Sequence, residues 1–239
     1  MTVKEALLAR RSMRAFKSRP VERDKLRAIL EAALRTPSWA NSQPWQIVVA
    51  EGQALERVRA GYAKCYADGV PASPEVPRPD KWPEACKERQ RGLRPKMVQD
   101  CGDAADQFGA LNQRMFDAPC VIFLCMDEML GHWSLYDIGA FSQSVMLAAV
   151  EQGLGTIPAI TLVSYPEVLR RELPIPAGAK IVIGIAIGYV DEGNAINNFR
   201  SERTPLDEIA VFCSKSAHRT GRRKRRPVRF LFVRIAMRQ

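Results

Sequence analysis

"WSLYDIGAFSQSVMLAAVEQGLG", residues 133–155, decides how the rest of the chain is read. Between 134 and 150 its only charged residue is Asp137, and the helical positions on every side are apolar or small. A surface helix carries one apolar stripe and one polar face, whereas a helix that is apolar all round is a buried one. In a chain of 239 residues, the pattern predicts a central helix buried on all sides and covered in part by a second subunit. Gly153 and Gly155 end it, and "GLGTIPAITLV" leads away into a strand or loop.

Strands flank this helix in sequence: the buried "APCVIFLCMD" before it, the strong "KIVIGIAIGYVDEG" after it, and the short "WQIVVAEG" further upstream, closed by Gly52. "VKEALLAR" has helical spacing and should end near Arg10. "SRPVERDKLRAILEAALRTPS" places Pro20 at a helix start, with Leu26, Ile29, Leu30, Ala33 and Leu34 at spacings of three and four, and Pro37 as the stop. "QALERVRAGYAK" reads as another helix, and "YPEVLRREL" as a surface helix. Residues 68–96 hold Pro71, Pro74, Pro77, Pro79, Pro83 and Pro95, which break any long element; such a stretch is a lid or disordered. Helix is expected again from about residue 100 to Phe116.

Composition narrows the function. At 46% hydrophobic residues the chain can build one sizeable core, and no apolar run approaches a membrane span. The N-terminus has no signal-peptide apolar core, so a cytoplasmic enzyme is the expectation. The six cysteines form no Cys-x-x-Cys pair and read as buried or incidental thiols. With two histidines, His132 and His218, a zinc-hydrolase site is disfavoured and no metal site is expected. No catalytic side chain stands out, so the chemistry is expected to belong to a cofactor. The net charge of +10 is confined to the tail: residues 214–239 hold ten Lys/Arg and no acid. Taking those ten from 36 leaves 26 basic against 26 acidic residues in 1–213.

Gly153-x-Gly155 follows a helix, with Pro158 where a nucleotide-binding helix should begin, so it is not a dinucleotide fingerprint. The arginines carry more. "LARRSMRAF", 8–16, places Arg10, Arg11 and Arg14 around Ser12, and Arg200 and Arg203 follow an Asn-rich turn after the last strand. A phosphate monoester suits such donors: forked guanidinium groups and a hydroxyl match its oxygens and charge. A solvated basic surface is the alternative, and spacing alone does not show that the two groups converge.

The order of these motifs resembles the FMN-dependent nitroreductase family over about residues 1–212. "RRSMRAF" comes first, then "TPSWANSQPWQIVV", the central helix with "GLGTIP", and the arm "IGYVDEGNAINNFRSERTPLDE". The length of the 61–116 segment is similar to the nitrobenzene and nitrobenzoate reductase-like subgroup. The resemblance implies an α+β fold, a three-layer α-β-α sandwich in a domain-intertwined homodimer with two FMN sites at the interface. It implies that Arg10 and Ser12 hold the phosphate and ribityl chain, with Arg11 at a variable position, and that Arg14 lies at the flavin N1/O2 edge. Pro37, Ser38, Trp39 and Asn41 would reach the other subunit's flavin. Pro158, Ala159 and the backbone N–H of Ile160 would lie near the ring and N5, and Arg203 with Arg200 would close the phosphate clamp. Family members often carry an acid shortly after the proline equivalent to Pro158; here Ile160 stands in that region, which puts a carboxylate role there in doubt.

The expected activity is reduction of small electron-poor nitroaromatics by NADH or NADPH, in ping-pong fashion through flavin N5. The alternatives are quinone reduction, reductive dehalogenation or oxidative dehydrogenation on the same fold, or nucleic-acid binding through the tail. No membrane or specific nucleic-acid partner is expected. Tyr62, Tyr66, Trp82, Phe108 and Phe116 are candidates to line the substrate pocket or simply pack the segment, and Trp133 and Tyr136 are expected in the core. Residues 1–212 form the expected FMN-binding domain, with 61–116 as a lid or insertion. Residues 213–239 form a basic tail, expected to be disordered or atypical: an anionic-surface anchor, an arm on the dimer, or read-through sequence.

Overall fold

In the computed structural model, which describes residues 1–212, the chain runs α1 (Val3–Ala9), α2 (Arg23–Ala33), β1 (Gln46–Glu51), α3 (Gly52–Ala67), α4 (Glu84–Cys101), α5 (Phe108–Gln113), β2 (Cys120–Asp127), α6 (His132–Glu151), β3 (Gly155–Ala159), α7 (Pro166–Glu172), β4 (Ala179–Gly188) and α8 (Leu206–Ile209). The four strands form one antiparallel sheet in the order β1-β2-β4-β3.

β2 shows why its sequence is apolar without alternation. Successive side chains of a strand point to opposite faces. Cys120, Ile122, Leu124 and Met126 join a core with Leu26 and Ile29 of α2 and Ile138 and Phe141 of α6. Val121, Phe123 and Cys125 join a second core with Val58 and Tyr62 of α3 and Val168 and Leu169 of α7. A strand covered on both faces must be apolar at every position. The result is the expected α+β sandwich of three layers.

Four sequence expectations need correction. First, the part of α6 that its own chain leaves uncovered includes two residues expected in the core. Ile138, Phe141, Val145 and Ala149 face the sheet core, but Trp133 and Tyr136 are 68% and 73% exposed, not in the core. Second, helix resumes at Glu84 rather than near 100. Pro83 sits at the N-cap, where its missing N–H is no loss, and Pro95 is tolerated inside α4 on an exposed position. Third, the proline-rich stretch before α4 is tied down. The Ser73 N–H donates to the Ser164 carbonyl (2.9 Å). Glu75 accepts from the Arg170 guanidinium and from the Ile181 N–H. Fourth, α7 is no mere surface helix, because Pro166, Val168 and Leu169 are buried.

The chain divides into two compact units, Met1–Ser201 and a second that begins at Glu202. The second holds α8 among its described residues. The basic tail expected over 213–239 lies outside the described residues. No helix among the described residues is long and apolar enough to cross a membrane.

Candidate functional site

The arginine segment is laid against the sheet end by backbone contacts. Helix α1 stops as Arg10 turns extended (φ −62°, ψ 121°). Ser12 then pairs with Thr156 as an isolated parallel bridge, and the Met13 N–H donates to the Thr156 carbonyl (2.9 Å). Phe16 pairs with Val190 just beyond β4. The approach needs Gly155. A Cβ there would lie 2.5 Å from Val190 Cγ2 and 2.7 Å from Met13 Cγ, distances that real carbons do not reach. The second glycine of "GLG" is thus a packing residue.

Arg14 is only 9% exposed. Its Nη1 donates to the Ser12 carbonyl (2.9 Å), and its guanidinium lies 4.9 Å from the Phe199 ring centroid and 5.6 Å from that of Phe108. Burial lowers its pKa, and Nε is buried with no hydrogen-bond partner. Arg11 is half-buried, its Nε likewise buried without a partner. Its pKa is lowered first by burial and then by the charge of Arg200. The fold therefore brings Arg200 within electrostatic reach of Arg11, although they stand 189 positions apart. The Arg200 backbone N–H is held by Asp100 Oδ2 (3.0 Å). Thr156, 1% exposed, also has a buried Oγ1 without a partner. Two mutually repelling cations and orphaned buried polar atoms are costly unless an anion joins them. A phosphate fits this donor set: fixed positive charge and forked N–H groups answer its charge and its acceptor oxygens.

Arg10 is half-buried at the helix end. Pro158 and Ala159 are half-buried in β3, two and three residues beyond Thr156, and Ile160 opens a short 3₁₀ turn at the exposed strand end. Arg203 belongs to the unit beginning at Glu202, where it is exposed and its Nη1 donates to the Glu202 carbonyl (2.9 Å).

The "PSWAN" segment forms a different feature. Pro37, Ser38 and Trp39 line a cavity of about 510 Å³ together with Trp133, Tyr136 and Asp137 of α6. None of Arg10, Arg11, Ser12, Arg14, Pro158, Ala159 or Ile160 lines it. Asp137 is buried and accepts from the Trp39 N–H (3.1 Å), while the Trp39 and Trp133 rings lie 6.4 Å apart. Ala40, Asn41 and Gln43 all have positive φ (50°, 56° and 45°). Such backbone costs energy in residues other than glycine and persists where surrounding contacts enforce it, often at binding sites. Here the Gln43 N–H is tied to Ser38 Oγ (2.9 Å). Asn41 itself is exposed.

Of the aromatic candidates in 61–116, Tyr62 and Phe116 are fully buried core residues. Tyr66 packs edge-on against Tyr165, and Trp82 is exposed. Phe108 lies against Arg14 of the arginine segment. Burial pushes the Cys120 thiol up to about 12 and that of Cys125 to about 11, which leaves them poor nucleophiles at neutral pH. Sequence reading missed Thr156, Asp137, Phe199 and Asn197. The lone charge at Asp137 and the "NNF" of the arm were the available signals.

Residues 7–189 match the model of the nitroreductase family, and the chain belongs to that family. It is 33% identical over 216 residues to a chloronitrobenzene nitroreductase of Comamonas testosteroni, covering 85% of this chain and 93% of that protein. It is 30% identical over 203 residues to a 4-nitrobenzoate reductase of Pseudomonas putida, covering 82% and 88%. Among solved structures, the FMN and NADPH-dependent nitroreductase NfnB from sphigopyxis sp. strain HMH superposes with a TM-score of 0.83 at 33% identity, over 90% of this chain and 100% of that one.

Proposed function

We propose that this chain is an FMN-dependent NAD(P)H oxidoreductase of nitroaromatic compounds, working as a homodimer. One observation supports the cofactor: Arg11, Arg14 and Thr156 keep buried polar atoms without partners, and burial together with the charge of Arg200 lowers the basicity of Arg11. Arg10, Arg11, Ser12, Arg200 and Arg203 would hold the phosphate and ribityl chain. Arg14 would sit at the flavin edge, with Pro158, Ala159 and the Ile160 N–H beside the ring. Bound FMN supplies two-electron transfer at N5, from a nicotinamide to a nitro group that take turns in one pocket. The protein's share is binding, orientation and a fixed positive charge where reduction accumulates negative charge.

Pro37, Ser38, Trp39 and Asn41 would reach the flavin of the other subunit. The support is that this segment opens onto the aromatic cavity rather than onto its own chain's arginines. The 69%-exposed Trp39 with Trp133 and Tyr136 offers apolar faces for an electron-poor ring, and among the described residues no cation lines the cavity. Residues 1–212 would suffice for this activity, with 61–116 an insertion within that domain and 213–239 outside it. The purified protein should show flavin absorbance with about one FMN per chain, and initial rates in both substrates should give parallel double-reciprocal lines. A colourless protein that takes up no added FMN would refute the proposal, and intersecting lines would refute its ping-pong element.

A further inference from the structure

Asn197 stands in the arm after β4, 3% exposed, and uses its whole amide on neighbouring backbone. Its Oδ1 accepts from the Arg14 N–H (2.7 Å) and the Ala15 N–H (3.2 Å). Its Nδ2 donates to the Ala15 carbonyl (2.9 Å) and the Asp191 carbonyl (2.9 Å). Only this orientation of the amide works, because the flipped one sets donors against donors. Two residues on, Phe199 places its ring against the Arg14 guanidinium. Arg14 thus has its backbone held by Asn197 and its side chain by Phe199, both on the segment that ends at Arg200.

We infer that Asn197 is a positioning residue for the flavin site: it fixes Arg14 in register with Arg200, so that the buried cation meets the reduced cofactor at a set place. This rests on the FMN proposal above. Other side chains could stabilise the arm, but an amide is the group that offers two acceptor sites to one strand's N–H groups and two donors to facing carbonyls. A fixed cation stabilises the electron-rich reduced flavin more than the oxidised one. Loosening it should therefore make the flavin harder to reduce.

The test uses the full-length chain loaded with FMN. FMN dissociation constants from flavin fluorescence and midpoint potentials from spectroelectrochemical titration are measured for wild type, Asn197→Ala, Arg14→Met and the double variant. Asn197→Ala should weaken FMN binding about tenfold and move the midpoint potential to more negative values. The double variant should then match Arg14→Met alone to within about twofold, because a cation no longer held in place has little left to lose. A core control, Val168→Ala, should lower the melting temperature and leave both flavin readouts in place. Should Asn197→Ala fail to fold, the isosteric Asn197→Asp keeps the Oδ1 acceptor, sets a second oxygen against the Ala15 and Asp191 carbonyls, and should shift both readouts the same way. Unchanged flavin readouts, or defects that multiply in the double variant, would overturn the inference. A wild-type chain that binds no FMN would instead overturn the function proposed above.

Discussion

Replacing Arg14 by Met separates the needs of the fold from the needs of the site. In the cofactor-free protein the Arg14 guanidinium is a burden: it is buried, its pKa is depressed by that burial, and Nε has no partner. An unsatisfied buried polar group costs about 1–3 kcal/mol. Against that stand one bond to the Ser12 carbonyl and two ring contacts. These contribute about 1 kcal/mol for the bond and about 0.5–1 for each ring contact. A Met in the same place keeps the apolar contact with Phe199 and adds a sulfur–aromatic contact of about 0.3–1.5 kcal/mol. The terms cancel to within about 1 kcal/mol, so the melting temperature of the flavin-free variant should stay within about 2–4 °C of wild type. Flavin affinity should not survive. Losing a charge-assisted contact costs about 1.5–3 kcal/mol, or roughly ten- to a hundredfold in Kd. Differential scanning fluorimetry of deflavinated protein and fluorescence titration with FMN give the two numbers. A large fall in apoprotein stability with FMN affinity intact would refute the argument, because Arg14 would then be structural and remote from the cofactor.

Gly155→Val forces side-chain atoms into Val190 and Met13 and should cost about 1–3 kcal/mol by overpacking, with a parallel loss of FMN as the Ser12–Arg14 segment is pushed off β3; retained affinity would show that the segment's register does not matter. A mixed dimer of Asn41→Ala and Arg203→Ala chains should keep one site of wild-type affinity and concentrate both defects in the other; two equally impaired sites would place both residues on the same flavin. Truncation after Phe212 should leave FMN content and turnover unchanged while abolishing the basic tail's binding to polyanions; loss of flavin or of the dimer would put the tail inside the functional unit. With Asp137 and, among the described residues, no cation lining the cavity, chloronitrobenzene should exceed 4-nitrobenzoate in kcat/KM by about tenfold, a discrimination near 1.4 kcal/mol; equal values would move the substrate's carboxylate away from this lining.

What the sequence determined by itself is whatever follows from short-range pattern. The unbroken apolar runs at 120–126 and 181–188 announced buried strands, and periodicity announced α2 and α6. The order of "RRSMRAF", "PSWAN", "GLGTIP" and the arginine arm was specific enough to place the family. What sequence could not supply was whatever depends on which distant groups meet. The apolar girdle of α6 looked like a helix buried on all sides, yet in one chain its Trp133 and Tyr136 border a cavity. Periodicity records that a face avoids water without recording whether its cover is the same chain, a ligand or another subunit. Pro95 looked like a breaker, yet α4 accommodates it on an exposed position. Asn197 looked like one more turn residue until tertiary structure set its amide against the backbone of Ala15, 182 positions away. Arg11 and Arg200 became one charged pair only because Gly155 admits the arginine segment beside β3. Propensity is written in neighbours along the chain, whereas convergence of charge is a property of the packed core, and only the folded backbone states it.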